Sequence, residues 1–423
     1  MAAANTCETG EWHQFFDHTT APDDYEPISR RIADWVVKHS HVGCKIALVT
    51  SGGTTVPLER NTVRFVDNFS IGTRGAASSE YFLQHGYAVI FLHRDSSAQP
   101  FVRHLRPQTL LDAFLGDEEV TTAASERAED AGAPHERIQI TLDVATSNKL
   151  RPVLQLYRTV VRQERLLSLP FTSLSSYLWL LRNVTQALQQ HHSSKPALLY
   201  LAAAVADFYI PYEELSEHKL QSSSGPLTVQ LQLVPKMLAP LVAHWGPNLY
   251  VVSFKLETDS TKLIDKSQAA LQRYRHHLVV GNLLQTRRDQ VILVEPASNA
   301  TECGAPSIKY SGGTTNCSST STEPTDTSKE CSSTSTKCND DNTQAESNKE
   351  GSVSCSSTEE TSTHCKESRS VEDGVLEQVK IKVLKLSGEQ KLLKFEIEEI
   401  IVREVCSRHQ LFLSKLSLGD ELK

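Results

Sequence analysis

Apolar and polar positions follow a recurring order along the chain. A short run of branched aliphatic residues is followed by a longer stretch with apolar residues every three or four positions, and then by another short run. Lys45–Thr50 reads as a strand, Gly75–His85 as a helix closed by Gly86, and Tyr87–His93 as the next strand, which together make a βαβ unit. Further on, the pattern predicts a helix over Leu174–Gln190, strands over Ala197–Ala204 and Leu249–Leu256, a helix over Ser260–His276 and a strand over His277–Val280. Strands that are apolar on both faces and alternate with helices predict a mostly parallel, Rossmann-like α/β sheet covered on both sides. Leu227–Leu233, Gln290–Val294 and Val379–Leu386 alternate residue by residue instead. With a turn at Ser387–Gln390 and a return strand over Lys391–Phe395, they suit antiparallel ribbons at the sheet edge. Ile397–Cys406 reads as a closing helix.

One stretch breaks the order. From about Ala297 to Asp373 the chain is dominated by Ser, Thr, Glu, Asp, Lys and Asn, with almost nothing to bury, and is expected to be disordered. Cys-Ser-Ser-Thr recurs there from Cys317, Cys331 and Cys355, a unit too short for a solenoid. An expanded loop is the simpler reading, because each doubling of loop length costs only ~0.6 kcal/mol. The expected organisation is a helical N-terminal extension over 1–44, an α/β core over 45–296, the insert over 297–373, and a ribbon and helix over 374–423 that complete the core.

Composition narrows the function classes. The 423 residues carry a formal net charge of −8, which disfavours a general nucleic-acid binder. No apolar run reaches the ~18 residues of a membrane span, and Met1–Phe16 lacks a signal-peptide pattern, so a cytoplasmic protein is expected. Six of the nine cysteines fall in the insert and no Cys-x-x-Cys pair occurs, which favours reduced thiols over disulfides or structural zinc.

Three strings carry candidate chemistry. Thr50-Ser51-Gly52-Gly53-Thr54 follows the first strand, where glycines leave backbone N–H groups bare for an anion. It is neither a Walker A loop nor Gly-x-Gly-x-x-Gly, so a plain turn is an equal reading. Arg64 to Gly75 joins Asn68, Ser70, Gly72 and Gly75 at a helix N-terminus, which favours a phosphate and also suits ordinary capping. Ala202-Ala203-Ala204-Val205-Ala206-Asp207 ends a strand with small residues and an acid, at the edge where open α/β sheets bind ligands. Lys219, in a polar loop, and Lys236, after Val234-Pro235, are candidate cations.

Seven strings stand in one order: TSGGT from Thr50, VRFVDNFSIGTRG from Val63, LAAAVADFY from Leu201, EHKLQSSSGPL from Glu217, VPKMLAPL from Val234, SFKLETD from Ser253 and VVGNLL from Val279. From about Lys45 to Arg287 the chain resembles the phosphopantothenate-cysteine ligase family of coenzyme A assembly, in its stand-alone eukaryotic form. The resemblance implies a two-step ligation, in which the phosphopantothenate carboxylate is first converted to an acyl-nucleotide with loss of pyrophosphate and cysteine then attacks it. It places Gly52, Ser70, Gly72, Gly75, Phe254 and Asn282 around the nucleotide, and Asn68, Ala203, Ala204 and Asp207 around phosphopantothenate. Lys219 and Asn68 would be catalytic, with Lys236 a lesser candidate. Arg64 would cross a homodimer interface to the neighbouring substrate, and the antiparallel ribbon would serve the edge or the dimer. ATP is expected ahead of CTP, with Mg²⁺ held largely by phosphate oxygens and water. Ser96–Pro170, the chain before Lys45 and the insert carry no motif of the family. Two rival readings are a Rossmann-type oxidoreductase, which lacks its glycine fingerprint here, and a non-catalytic scaffold of the same fold, which intact Asn68, Asp207, Lys219 and Asn282 argue against.

Overall fold

The computed structural model describes residues 8–105, 144–191, 195–221, 225–297 and 379–421. All of them belong to one compact unit, Met1–Ala300 with Thr363–Lys423. The second unit, Thr301–Ser362, and with it nearly all of the expected disordered insert, lies outside the described residues.

In chain order the strands are β1 Ile46–Ser51, β2 Thr55–Pro57, β3 Phe65–Asp67, β4 Ala88–Arg94, β5 Leu166–Phe171, β6 Leu198–Leu201, β7 Phe208–Tyr209, β8 Gln232–Leu233, β9 Tyr250–Glu257, β10 Leu278–Leu283, β11 Gln290–Pro296 and β12 Val379–Lys385. Eight of them form one sheet in the order β12-β11-β10-β9-β6-β1-β4-β5. From β10 to β5 every neighbouring pair is parallel, while β11 and β12 add an antiparallel edge. β1 is buried at all six positions, as a strand covered on both faces must be.

Each face carries its own apolar layer. On one, the helices Glu8–Asp17, Tyr25–His41 and Leu174–His191 contribute Trp12, Phe16, Ile32, Trp35, Tyr177, Leu181 and Leu188. Ile32, Trp35 and Val36 follow the three-to-four spacing that puts them on one side of their helix. On the other, the helices Thr73–Gln84 and Ile397–Glu421 pack Phe82, Ile401 and Val405 over Tyr200 and Val252. The first of these shows Gly75, Ala76, Ala77, Ser78 and Ser79 to the interior, and small side chains let its backbone approach the sheet closely.

Several elements depart from expectation. Lys391–Phe395 is not a strand, because Gly388–Leu392 is a short helix. Ser387 and Gln390 form a reciprocal capping box, with Ser387 Oγ accepting from the Gln390 N–H at 3.1 Å and Gln390 Oε1 accepting from the Ser387 N–H at 2.9 Å. The alternating segment Leu227–Leu233 pairs only at Gln232–Leu233, with β7, and leaves Leu227 and Leu233 exposed. The helix Val144–Arg162 and β5, in a region without motifs, were not anticipated. The closing helix continues to Glu421.

Chain order reverses between β1 and β6, because β4 and β5 are laid to one side and β9 and β10 to the other. That switch point opens a crevice at the carboxyl ends of β1 and β6. β11 runs antiparallel to β10, so Pro296 and its partner Val379, like Val279's end of β10, lie at the end of the sheet opposite the crevice.

Candidate active site

β1 ends at Ser51, and the chain turns at Gly52, whose φ of +82° is a left-handed conformation that glycine adopts without strain. The Ser51 hydroxyl donates to the carbonyl of Gly72 at 2.9 Å and so ties this turn to the start of the helix Thr73–Gln84. Gly72 also has a left-handed φ, +80°. A Cβ on Gly75 would lie 2.4 Å from the Ser51 side chain, so only glycine lets the helix end come this close. The Ser70 hydroxyl accepts from the Gly72 N–H at 3.3 Å. Gly52, Ser70, Gly72 and Gly75 are thereby brought together at a helix N-terminus, where free N–H groups and the helix dipole favour a phosphate.

A second strip lies beside the first. Gly53 bridges to Ala204, with the Ala204 N–H donating to the Gly52 carbonyl at 2.8 Å and the Thr54 N–H to the Ala204 carbonyl at 3.0 Å. Thr50 Oγ1 accepts from the Ala203 N–H at 3.1 Å, and Thr54 Oγ1 from that of Ala206 at 3.0 Å. On the far side of Gly53, the Asn68 N–H donates to the Thr54 carbonyl at 3.1 Å. Asn68, Ala203 and Ala204 therefore flank one glycine. Asp207 is exposed, and its Oδ1 lies 3.2 Å from Lys236 Nζ across the β7–β8 ribbon. A cavity of about 310 Å³ runs from Ala203 and Asp207 past Lys236 to Phe254.

Phe254 on β9 packs edge-on against Tyr200, with ring centroids 4.8 Å apart. It is in register with Val280, two residues before Asn282, so alternation along β10 puts Asn282 on the same face. The buried Oδ1 of Asn282 has no hydrogen-bond partner among the described residues. An unpaired buried acceptor is costly, and a nucleotide amino group or hydroxyl is a donor that would satisfy it.

Arg64 and Lys219 stand on an arm made of two strips. Glu59 bridges to Ser216, and the Arg60 N–H donates to the Ser216 carbonyl at 2.8 Å. At its centre is the fully buried carboxylate of Glu59, which accepts from Arg64 Nε at 2.9 Å and from the Arg64 N–H at 3.0 Å. Burial alone would raise the Glu59 carboxyl, but the Arg64 backbone and guanidinium together with the Leu220 N–H outweigh it and hold it below the usual carboxylate range. Arg64 Nη2 also donates to the Leu220 carbonyl at 2.7 Å, so the arginine is locked one residue from Lys219, which is exposed.

Ser51 and Thr54 lie within the TSGGT string, but the partner of a hydroxyl is not visible in local sequence. Glu59 is one acid in a polar stretch, and nothing local marks it as buried. Among the described residues no helix is long and apolar enough to cross a membrane, no group of three His, Cys, Asp or Glu is arranged to hold a metal ion, and Cys44 and Cys406 are free.

A glycine-lined turn at a helix N-terminus and a strip of small residues, joined at the switch point of a doubly wound sheet, place the chain among the α/β proteins whose ligand crevice lies at the carboxyl ends of the strands. Residues 180–302 match the family model described as the DNA/pantothenate metabolism flavoprotein C-terminal domain. The phosphopantothenate–cysteine ligase 2 of Oryza sativa is 41% identical over 71% of this chain and 88% of its own length. The human phosphopantothenate–cysteine ligase is 43% identical over 60% of this chain and 76% of its own. The solved structure of a Cab2 mutant superposes with a TM-score of 0.65 at 30% identity, covering 96% of this chain and 99% of that one. Its complex with phosphopantothenate-cysteine superposes with a TM-score of 0.63. The chain belongs to the phosphopantothenate–cysteine ligase family.

Proposed function

We infer that this chain, a ligase joining 4'-phosphopantothenate to L-cysteine in coenzyme A biosynthesis, works through an acyl-nucleotide. The phosphopantothenate carboxylate attacks the α-phosphorus of ATP and pyrophosphate leaves. The cysteine amine then attacks the acyl carbon, and AMP leaves as the amide forms. A carboxylate is a poor acylating agent, and the mixed anhydride gives it a good leaving group. The protein's share is alignment, worth ~7 to 11 kcal/mol when reactants are held in near-attack geometry, together with stabilisation of charge.

The observation that carries this reading is the junction at Gly53, where the phosphate turn and the alanine strip share hydrogen bonds. Gly52, Ser70, Gly72 and Gly75 cradle the phosphates, while Phe254 and Asn282 contact the nucleoside. Asn68, Ala203, Ala204 and Asp207 hold phosphopantothenate, Asn68 donating to its reacting carbonyl. Lys219 meets the charge that develops on the α-phosphoryl group, and Lys236 is a second cation beside it. Mg²⁺ would accompany the triphosphate, held largely by phosphate oxygens and water, and would neutralise charge on the leaving pyrophosphate. ATP stands ahead of CTP because the relatives matched here are eukaryotic enzymes.

The assembly is a homodimer in the cytoplasm. Val63, Phe65 and Val66 on the arm, with Phe69 and Ile71 beyond it, are exposed, and Phe69 is 80% accessible. Such a concentration on one segment fits a second copy that covers it and receives Arg64, whose Nε and Nη2 are held by Glu59 and Leu220 while Nη1 is left for the substrate phosphate. Mixing the protein with Mg²⁺, 4'-phosphopantothenate and L-cysteine, with ATP or CTP in parallel, tests the reading. Pyrophosphate release that requires phosphopantothenate, with AMP and the cysteine adduct seen by mass, is expected with ATP. No release with either nucleotide from folded protein would overturn it.

A further inference from the structure

The segment after β4 lies directly on the phosphate turn. A Cβ on Gly72 would meet the Ser97 Cβ at 2.9 Å, and one on Gly52 would meet it at 3.1 Å. The Ala98 N–H donates to the Ile71 carbonyl at 2.8 Å. The same segment then passes through Phe101, a buried non-glycine residue with φ of +67°, a conformation that persists only where the surroundings over-determine it.

What determines it is a buried charge network. Glu80, on the helix whose N-terminus forms the phosphate turn, accepts from the Phe101 N–H at 2.8 Å, from Arg103 Nε at 2.7 Å and from His104 Nε2 at 2.8 Å. Arg103 spans from there to Glu396, with Nη2 2.8 Å from Oε2, and the Tyr81 hydroxyl donates to the same oxygen at 3.0 Å. Glu396 immediately precedes the C-terminal helix. Burial raises the Glu80 carboxyl, but His104, Arg103 and the Phe101 N–H more than reverse it. Desolvation makes buried ion pairs poor sources of net stability, while their fixed geometry suits them to hold one arrangement.

We propose that Arg103 is a positioning residue for nucleotide binding: by bridging Glu80 and Glu396 it clamps the Ser97 segment against Gly52 and Gly72 and so sets the shape of the phosphate cradle. The clamp touches neither the alanine strip nor Asp207, so its loss falls on the nucleotide and spares phosphopantothenate. This rests on the nucleotide lying at Gly52 and Gly72.

The test compares Arg103→Met, Arg103→Lys and Glu396→Gln with Gly72→Val, measuring KM for nucleotide and for phosphopantothenate together with melting temperature. For Arg103→Met the nucleotide KM is expected to rise about ten-fold, a loss smaller than the ~10² that a 1 Å misplacement far from the chemistry can cost. The phosphopantothenate KM should stay within about two-fold of the parent. Arg103→Lys should recover part of the effect, and Glu396→Gln, at the more exposed end of the network, should reproduce it in milder form if Arg103→Met does not fold. Equal changes in both KM values, or an unchanged nucleotide KM in folded Arg103→Lys and Glu396→Gln proteins, would overturn the clamp. If Gly72→Val left nucleotide binding intact, the site assignment itself would fall, a result distinct from failure of the clamp alone.

Discussion

Gly53 shows how much can hang on one missing side chain. A Cβ there would sit 1.7 Å from the Asn68 carbonyl oxygen, far inside any real contact, and the obstacle is backbone that cannot rotate aside. Gly53→Ala is therefore expected to push the Asn68 segment away from the turn after β1 and to abolish ligation while lowering the melting temperature; normal turnover would show that the two strips need not meet at Gly53 during catalysis. Asn68→Ala is the complementary test. Its backbone bond to Thr54 survives, so the fold should melt as before while turnover falls by about 10² to 10³, as for other polar donors to a reacting oxygen. Near-normal turnover would remove Asn68 from the site. The glycines and Asn68 were legible as unusual residues in unusual strings. Glu59 was not, because its role depends on Arg64 and Leu220, and Leu220 is far from it in sequence.

The strands illustrate what an element adds to its residues. Before β10, His276 and His277 lie within the protein: Ser253 Oγ is 2.7 Å from His276 Nε2, and His277 Nδ1 accepts from the Val251 N–H at 3.2 Å. Burial pushes His276 down to about 3 and His277 down to about 4. Both are neutral in the fold, whereas in the unfolded chain they take up protons near the ordinary 6.5. Their contribution is thus complete above that value and is lost as pH falls toward the folded values. The urea midpoint should drop on acidification through this window, and His276→Gln should make the drop shallower; an identical slope in the variant would mean that His276 is not held neutral. Apolar runs and helical spacing revealed the parallel strands other than β5, since burial on both faces leaves a continuous apolar signature. The Lys391–Phe395 strand failed because a local capping box overrode alternation, and Leu227–Leu233 because alternation says nothing about whether a partner edge exists.

For the molecule as a whole, the proposed sharing of Arg64 between subunits has a direct consequence. Arg64→Gln and Asn68→Ala proteins, each nearly inactive, should regain up to about a quarter of wild-type activity when mixed, because statistical exchange gives half the dimers one intact site of two; Lys219→Ala, one residue from the Leu220 that holds Arg64, should not complement Arg64→Gln. No recovery in verified mixed dimers of Arg64→Gln with Asn68→Ala would place both residues in one subunit's site. The insertion point after Pro296, at the edge opposite the crevice, makes a second claim: deleting 298–372 should leave turnover and melting temperature almost unchanged. A large loss of either would give the insert a structural part.

The sequence alone determined the kind of sheet, a helix after the first glycine turn, and the family, because these rest on local periodicity and on strings read in order. Only the tertiary structure decided that Gly53 would touch both Ala204 and Asn68, that Glu59 would be buried under Arg64, and that Arg103 would join two distant acids over the phosphate turn. Those are contacts between segments far apart in the chain, and nothing in the local pattern of either segment encodes the distance between them.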